Sequence, residues 1–323
     1  MTASSPAALA LHTLGGDTMG TTWSVRLAAA READLRALHA GIEAQLALVV
    51  RQMSTWDNDS DISRYNRADA GQWLSVPPEF ARVLVCALEI ADASDGAFDP
   101  TVGALVGLWG FGAHARDTVP DAEALAAACA CSGWRRIDFD AENRRILQPG
   151  GLQLDLSAIA KGYAADQVAA CLRDAGIADA LVEVGGELVG HGCKPGGEPW
   201  RVLVEAGPEE DDHRLDARVL ELDELAVATS GDRWHHYMRD GRRYTHTIDP
   251  RSGEPVEHAP AAVSVVAADA MHADAWATAL GVLGVDAGHA LALRLGLAAR
   301  FLWRDDDGMH ERMTDAFRAR LAA

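Results

Sequence analysis

Two oxygen-bearing side chains near residue 275 are spaced for binding a divalent cation. Asp274 and Thr278 are four residues apart in a segment that reads HADAWAT over 272–278. If the segment is helical, this spacing places both side chains on one face. Carboxylate and hydroxyl oxygens are the hard ligands that Mg²⁺ and Ca²⁺ take. The alternative is an aspartate that caps the helix or pairs locally and binds no metal.

A second candidate site lies where a predicted strand over 151–156 passes directly into a predicted helix. Free backbone N–H groups at a helix start favour an anion. Asp155, at the end of the strand, could accept a hydrogen bond from the ring or a hydroxyl of a ligand. Lys161, one turn into the helix, could reach a phosphate or a carboxylate. The alternative here is a capped helix that carries one surface lysine.

Two further segments place glycines or polar groups beside turns. Gly185 and Gly186 follow an apolar strand and permit either a bulge or a close approach of backbone to a ligand. They do not fit G-x-G-x-x-G, which excludes a Rossmann nucleotide site. His246 precedes the turn-forming sequence DPRSG over 249–253. The chain contains no G-x-S-x-G, H-E-x-x-H or P-loop motif.

The elements that would position these residues are both helices and strands. Apolar residues recur at helical spacing over 32–53, 79–93 and 271–283. Alternation over 21–27 and an apolar run over 263–267 predict strands. The 323 residues, 49% of them hydrophobic, suggest two domains or one large duplicated unit. The order of elements favours an α+β fold with hairpins and paired helices over regular βαβ alternation.

The charge balance excludes some classes of partner. With 29 basic and 48 acidic residues the net charge is −19, which argues against binding to nucleic acid or to an anionic membrane. Only Lys161 and Lys194 are lysines, and the other basic residues are arginines. The five cysteines include no C-x-x-C pair and do not suggest a disulfide framework.

The hydropathy pattern and the first residues predict where in the cell the protein is located. No apolar run reaches 18 residues, so the sequence predicts no transmembrane segment. Residues 1–11 lack the basic region of a secretory signal. We therefore expect a cytoplasmic protein. A periplasmic or membrane-anchored location is the alternative if a leader was trimmed.

Short motifs follow one another in a characteristic order between residues 19 and 284. They are MGT (19–21), MSTW (53–56) with SRYN (63–66), GAFD (96–99), LWGFG (108–112), DLSAIAKGY (155–163) with Asp166, VGG (184–186), ATSG (228–231), HTIDP (246–250) with Gly253, and ADA (273–275) with Thr278. Each motif is modest, but the collinear set closely resembles the ApbE family, the FAD:protein FMN transferases, formerly called thiamine biosynthesis lipoproteins.

This resemblance implies a fold and an activity. The fold would be α+β and T-fold-like, a duplicated unit of antiparallel sheets and packed helices. Residues 1–18 would be an N-terminal extension, and 19–323 the transferase domain, which could divide into two lobes. The activity would be a Mg²⁺-dependent cleavage of FAD that attaches FMN through a phosphoester to a Thr or Ser of a target flavoprotein and releases AMP. Targets in the family are membrane redox subunits and flavin-carrying reductase domains.

The resemblance also implies a set of site residues. Those that correspond to positions around FAD are Met19, Trp56, Ala97, Phe98, Asp99, Asp155, Lys161 and Ile248. Those that match the Mg²⁺ positions are Asp274 and Thr278, with Ala158 and Ala277 contributing carbonyl oxygens. Asp274 and His246 are the candidates for the catalytic base, and Asp274 is favoured because it would lie beside the metal. Two alternative functions stay open: a Mg²⁺-dependent FAD pyrophosphatase that yields FMN and AMP, and a non-catalytic FAD-binding protein.

Overall fold

Helices and strands follow one another irregularly along the chain, as the sequence predicts. The computed structural model describes residues 9–113, 119–204, 218–231, 236–239, 242–257, 260–305 and 307–322. Within these ranges the helices are α1 (Leu35–Met53), α2 (Asp61–Asn66), α3 (Pro78–Ala93), α4 (Gly103–Leu108), α5 (Ala122–Ala130), α6 (Ser157–Asp174), α7 (Ala270–Leu295) and α8 (Asp315–Arg318). The strands are β1 (Leu9–Thr18), β2 (Thr21–Ala30), β3 (Trp73–Ser75), β4 (Asp138–Asp140), β5 (Arg145–Leu147), β6 (Ala180–Val184), β7 (Glu187–His191), β8 (Trp200–Val204), β9 (Arg218–Leu222), β10 (Leu225–Gly231), β11 (His236–Arg239), β12 (Arg242–Thr245), β13 (Ala262–Ala267), β14 (Ala298–Asp305) and β15 (Gly308–Met313).

One antiparallel sheet of eight strands runs through the fold in the order β1-β2-β6-β7-β10-β13-β14-β15. The succession of two strands, a long helix and two further strands occurs twice along the chain, and all eight of these strands belong to the sheet. The first set is β1, β2, α6, β6 and β7, and the second is β10, β13, α7, β14 and β15. The two sets join through β7 and β10, where Leu188 pairs with Val227. The predicted α+β fold with antiparallel strands and packed helices is thus confirmed.

The two faces of this sheet are covered by different elements. Because side chains alternate along a strand, Val182 and Val265 contribute to the core under the helices, whereas Leu181 and Val266 belong to a second core on the opposite face. The helical layer includes α1, α3, α6 and α7. The opposite face is covered by the β8–β9 ribbon, which contributes the fully buried Trp200, and by α8.

Helices α6 and α7 approach each other closely because a glycine faces the start of α7. A methyl group on Gly162 would lie 2.6 Å from the carbonyl carbon of Ala270 and 2.9 Å from Cβ of Asp274. The backbone N–H of Gly162 donates to Asp274 Oδ2 at 3.0 Å. A glycine inside a helix normally destabilises it by about 0.5–1 kcal/mol relative to alanine. The close contact therefore outweighs helix propensity at this position.

Residues 151–156 form no strand, which corrects the sequence prediction. Leu152 and Leu154 are fully buried, and their burial accounts for the apolar alternation. The segment makes one isolated bridge, between Gln153 and Val102. The side chain of Asn66 instead bonds both backbone groups of Leu154, with 2.7 Å to its nitrogen and 2.9 Å to its oxygen. The side-chain amide of Asn66 thus makes the two hydrogen bonds to Leu154 that a neighbouring strand would otherwise make.

Helix α7 is longer than the predicted helix over 271–283. It continues to Leu295 across Gly284, whose φ of 76° and ψ of 179° interrupt the helical path. By length and composition alone α7 could cross a membrane, but half of its most apolar 18-residue window is buried within the fold. Its apolar character is therefore that of a helix that packs on a sheet.

The predicted N-terminal extension over 1–18 takes part in the sheet where the structure describes it. Strand β1 pairs with β2 along its whole length, from Leu9 opposite Ala30 to Thr18 opposite Thr21. It forms one edge of the sheet. The domain boundary after residue 18 stays a prediction.

We expect the substitution Gly162→Ala to lower the free energy of unfolding by about 1–3 kcal/mol, because the added methyl group would overpack against α7. Urea unfolding monitored by circular dichroism measures this change. Gly281→Ala is the matched control within α7, since among the described residues a methyl group there would meet only Ser230 Oγ, at 3.9 Å. The control should be neutral or more stable by up to about 1 kcal/mol. Equal effects of the two substitutions would contradict the close contact.

Candidate active site

A buried polar cluster lies where α6, α7 and β7 meet. Lys161 of α6 places its Nζ 2.8 Å from Glu187 Oε1 of β7 and 3.6 Å from Asp274 Oδ1 of α7. The Glu187 and Asp274 side chains are only 4% and 6% exposed, whereas Lys161 is 31% exposed. Two of the predicted site residues, Lys161 and Asp274, thus lie side by side, but the shorter contact of the ammonium is with Glu187.

The charges of this cluster shift the pKa of its members. Burial lowers the pKa of Lys161, but the carboxylates of Asp274 and Glu187 raise it more, so its net shift is upward. Burial raises the pKa of Glu187, whereas the Lys161 ammonium lowers it. Glu187 Oε2 is buried and has no hydrogen-bond partner among the described residues. The cluster therefore holds an ammonium between two poorly solvated carboxyl groups.

The start of α7 is attached to α6 through a second carboxylate. Asp166 accepts hydrogen bonds from the backbone nitrogens of Ala270 at 2.8 Å and of Met271 at 2.9 Å. Asp269, the N-cap residue of α7, accepts from the backbone nitrogen of His272 at 2.9 Å. Free N–H groups at a helix start are stabilised by such acceptors. These bonds fix the position of the helix that carries Asp274 and Thr278.

Two adjoining cavities open beside α4 and share Val106 in their walls. The smaller cavity, of about 100 Å³, is lined by Ala97, Phe98, Asp99, Val102, Val106, Ser230, His246, Thr247, Ile248, Pro250, Thr278 and Val282. The larger cavity, of about 460 Å³, is lined by Thr55, Asn58, Ser63, Asn66, Arg67, Gly103, Ala104, Val106, Gly107, Leu108, Gly112, Ala113, Ala128, Gln153, Leu154 and Asp155. The two cavities, together called the pocket here, both have apolar and polar walls.

Most of the predicted ligand residues lie along this pocket or in the polar cluster. The smaller cavity brings together Ala97, Phe98, Asp99, His246, Ile248 and Thr278. Asp155 lines the larger cavity, and its Oδ1 also accepts from the backbone nitrogen of Ser157 at 2.8 Å. Ala158 and Ala277 belong to α6 and α7. Sites far apart in the sequence are therefore adjacent in the structure.

Met19 and Trp56 line neither cavity. Met19 has a φ of 50° in the turn between β1 and β2, and its side chain packs against the core below the helices. Trp56 follows α1 and is 68% exposed, so its ring is available on the surface. The roles assigned to both residues stay predictions.

The carboxylate of Asp99 is already used within the protein. Its Oδ1 accepts from the backbone nitrogen of Thr101 at 2.8 Å and from its Oγ1 at 2.6 Å, and its Oδ2 accepts from the nitrogen of Trp134 at 3.0 Å. Burial raises the pKa of Asp99, whereas the bonds from Thr101 lower it. Asp99 therefore shapes the loop beside the smaller cavity.

Sequence reasoning overlooked Glu187 and the contact made by Asp166. Glu187 directly follows Gly185 and Gly186, which the sequence analysis considered on their own. It occupies an inward position of β7, two residues before the buried Val189. A charged residue at an apolar position of a strand is the signal that could have identified it, because buried charges need a partner.

The same fold occurs in known proteins, and their sequences are similar to this chain. The model of the ApbE family matches residues 19–301. The chain is 38% identical to the FAD:protein FMN transferase of Klebsiella pneumoniae, over 99% of this chain and 92% of that protein. It is 36% identical to the FAD:protein FMN transferase of Vibrio cholerae, over 96% of this chain and 92% of that one. The solved apo form of the Pseudomonas stutzeri flavinyl transferase ApbE is 38% identical, has a TM-score of 0.90 and shares coverage of 99% in both chains.

The Asp166 contact predicts a dependence of stability on pH. Burial raises the pKa of Asp166 to about 7, although the Ala270 and Met271 N–H groups lower it. Its pKa in the unfolded chain is about 4, so the folded state binds more protons between these values. The stability linked to this group is therefore complete below about pH 4 and is lost as the pH rises through about 7.

Urea unfolding of the wild type and of Asp166→Asn at a series of pH values from about 5 to about 8 tests this linkage. The wild type should lose stability relative to the variant as the pH rises, because the amide does not titrate. Asp174→Asn, an exposed position of the same helix, is the control and should follow the wild type. A constant difference between wild type and Asp166→Asn across the range would contradict the raised pKa.

Proposed function

The chain belongs to the ApbE family and is an FAD:protein FMN transferase, and we propose that it acts with Mg²⁺ held at Asp274. In this reaction the enzyme cleaves FAD, attaches FMN through a phosphoester to a Thr or Ser hydroxyl of a target flavoprotein, and releases AMP. The observation that supports the proposed site best is the meeting of α6 and α7, which joins Asp274 and Lys161 beside a pocket that Thr278 lines.

The residues around Asp274 fit a hard divalent cation. Asp274 and Thr278 are one helical turn apart on α7 and supply carboxylate and hydroxyl oxygens. The Gly162 N–H donates to Asp274 Oδ2 and so fixes the carboxylate beside α6. Each carbonyl oxygen has two lone pairs, so those of Ala158 and Ala277 could bind a cation in addition to making a helical hydrogen bond.

The two cavities of the pocket suit the two ends of a dinucleotide such as FAD. We assign the adenosine end to the smaller cavity, where Ala97, Phe98 and Ile248 offer apolar walls. The flavin end is assigned to the larger cavity, where Asp155 could accept a hydrogen bond from the ring. Trp56, two residues after the α1 C-cap Ser54, offers an exposed aromatic surface near Thr55 of that cavity. The pyrophosphate would then lie between the two ends.

Transfer requires an in-line attack by the acceptor hydroxyl on the FMN-side phosphorus. A P–O bond to the acceptor oxygen forms, the P–O bond to AMP breaks, and the hydroxyl proton passes to a base. When bound, Mg²⁺ neutralises charge on the pyrophosphate and on the departing AMP. Lys161, whose ammonium the neighbouring carboxylates stabilise, adds local positive charge.

His246 suits the role of base better than Asp274 does. Asp274 is 6% exposed, and its two oxygens already face the Gly162 N–H and the Lys161 ammonium. His246 lines the smaller cavity together with Thr278, and its ring lies edge-on to Phe111 at 6.5 Å between centroids. We therefore assign proton transfer to His246 and metal binding to Asp274.

Intact-mass analysis after incubation with FAD, Mg²⁺ and a candidate acceptor tests the transferase activity. The acceptor is a membrane redox subunit or a flavin-carrying reductase domain with an accessible threonine, and one added FMN per acceptor is expected, together with AMP. Free FMN with an unmodified acceptor would favour a pyrophosphatase. Intact FAD under the same conditions would favour a non-catalytic FAD-binding protein.

Asp274→Ala should abolish FMN transfer, because it removes the carboxylate of the proposed Mg²⁺ site. Stimulation of the remaining activity by Mg²⁺ should also be lost. The matched control is Asp286→Ala on the same helix, where the aspartate is 95% exposed and pairs with Arg312. The control should transfer FMN at the wild-type rate. Full activity of Asp274→Ala would overturn the assignment.

His246→Gln should reduce the transfer rate by about 10²–10⁴-fold, which is the usual contribution of a general base. FAD affinity, measured by fluorescence quenching, should change little, because Gln keeps a polar side chain of similar length. His310→Gln, at a histidine that stacks on Trp303 away from the pocket, serves as the control. A wild-type rate in His246→Gln would place the base elsewhere.

A further inference from the structure

Lys161 lies between two buried carboxylates at unequal distances. Its ammonium is 2.8 Å from Glu187 Oε1 but 3.6 Å from Asp274 Oδ1. The two carboxylates come from different elements, since Glu187 begins β7 and Asp274 lies in α7. The shorter contact of Lys161 is therefore made to the sheet and not to the helix that would carry the metal.

The position of the Lys161 ammonium matters for any cation at Asp274, because both would use the same carboxylate. In a poorly solvated site an ammonium and a carboxylate attract each other strongly. Without Glu187, the charge of Lys161 would have Asp274 as its sole carboxylate partner in the cluster. A direct ion pair between Lys161 and Asp274 would occupy the carboxylate that the metal needs.

We propose that Glu187 is a positioning residue that holds the Lys161 ammonium away from Asp274 and thereby keeps Asp274 available to Mg²⁺. The proposal rests on the proposed function, since it presupposes that Asp274 binds the metal. Glu187 itself touches neither metal nor substrate in this arrangement and acts through Lys161.

The surroundings of Glu187 indicate a functional rather than a stabilising contact. Its Oε2 is buried without a hydrogen-bond partner among the described residues, which is unfavourable for a polar atom. The turn before it is closely packed, because a methyl group on Gly185 would lie 2.9 Å from Thr21 Cγ2 and 3.3 Å from Lys161 Cδ. The hairpin between β6 and β7 thus accommodates this one contact at a cost in stability.

The first test measures metal binding directly. Free Mn²⁺ is followed by electron paramagnetic resonance while the FAD-free protein is titrated, alone and with saturating AMP. Glu187→Gln should weaken Mn²⁺ binding by about 10-fold or more. This is the usual effect of removing a residue that supports a metal ligand without binding the metal itself. The matched control is Glu183→Gln, which removes the same charge from the same hairpin, where Glu183 accepts from Ser24 Oγ at 2.8 Å.

A double-mutant cycle separates positioning from a plain effect of charge. If Glu187 restrains Lys161, then Lys161→Met should strengthen Mn²⁺ binding far more in the Glu187→Gln background than in the wild type. If the two charges act independently through space, Lys161→Met should have the same effect in both backgrounds. Equal effects would therefore overturn the proposal.

Glu187→Asp provides a second variant in case the first does not fold. It keeps a carboxylate on β7 but withdraws it from Lys161 by one methylene, so Mn²⁺ binding should again weaken although the net charge is unchanged. Wild-type Mn²⁺ binding in Glu187→Asp, or equal losses in Glu187→Gln and Glu183→Gln, would contradict the positioning role.

The transfer assay distinguishes failure of this inference from failure of the proposed function. A wild type that binds Mn²⁺ and transfers FMN, with variants that bind Mn²⁺ equally well, would refute the role of Glu187 alone. A wild type that transfers FMN but binds no Mn²⁺ under either condition would refute the metal site and the inference with it. A wild type that transfers no FMN to any acceptor would count against the proposed function.

Discussion

The contact between α6 and α7 is the constraint on which the candidate site depends. Gly162 lets the two helices approach until its N–H reaches Asp274 Oδ2 at 3.0 Å. One turn further along α6, Asp166 holds the N–H groups at the start of α7. A side chain that binds a cation must be held within about 0.5 Å of its working position. Two attachments between the same pair of helices provide that precision for Asp274.

The electrostatics of the protein follow from the same contact. A chain with a net charge of −19 repels a pyrophosphate at long range, so attraction must be local. Lys161, one of only two lysines, lies where α6 faces α7 and β7, and its neighbours Asp274 and Glu187 keep it protonated. Because two carboxyl groups share this one ammonium, the cluster has the charge that the proposed divalent cation would require.

The duplicated arrangement explains why residues far apart in the sequence meet. Each half contributes one long helix to the same face of the sheet, α6 from the first and α7 from the second. Gly162 and Asp274, 112 residues apart, can therefore form a hydrogen bond. The segments inserted between the halves' strands supply the remaining walls, such as α4 beside both cavities.

The sequence by itself determined the main helices, the α+β class and, through its ordered motifs, most residues of the candidate site. These features are local, because helical spacing, alternation and short motifs depend on neighbouring residues. Only the tertiary structure decided that 151–156 is completed by the Asn66 side chain rather than by a strand. It alone paired Lys161 with Glu187 and attached Asp166 to α7. Such partners come from elements distant in the chain, and their choice depends on how the elements pack, which no local pattern encodes.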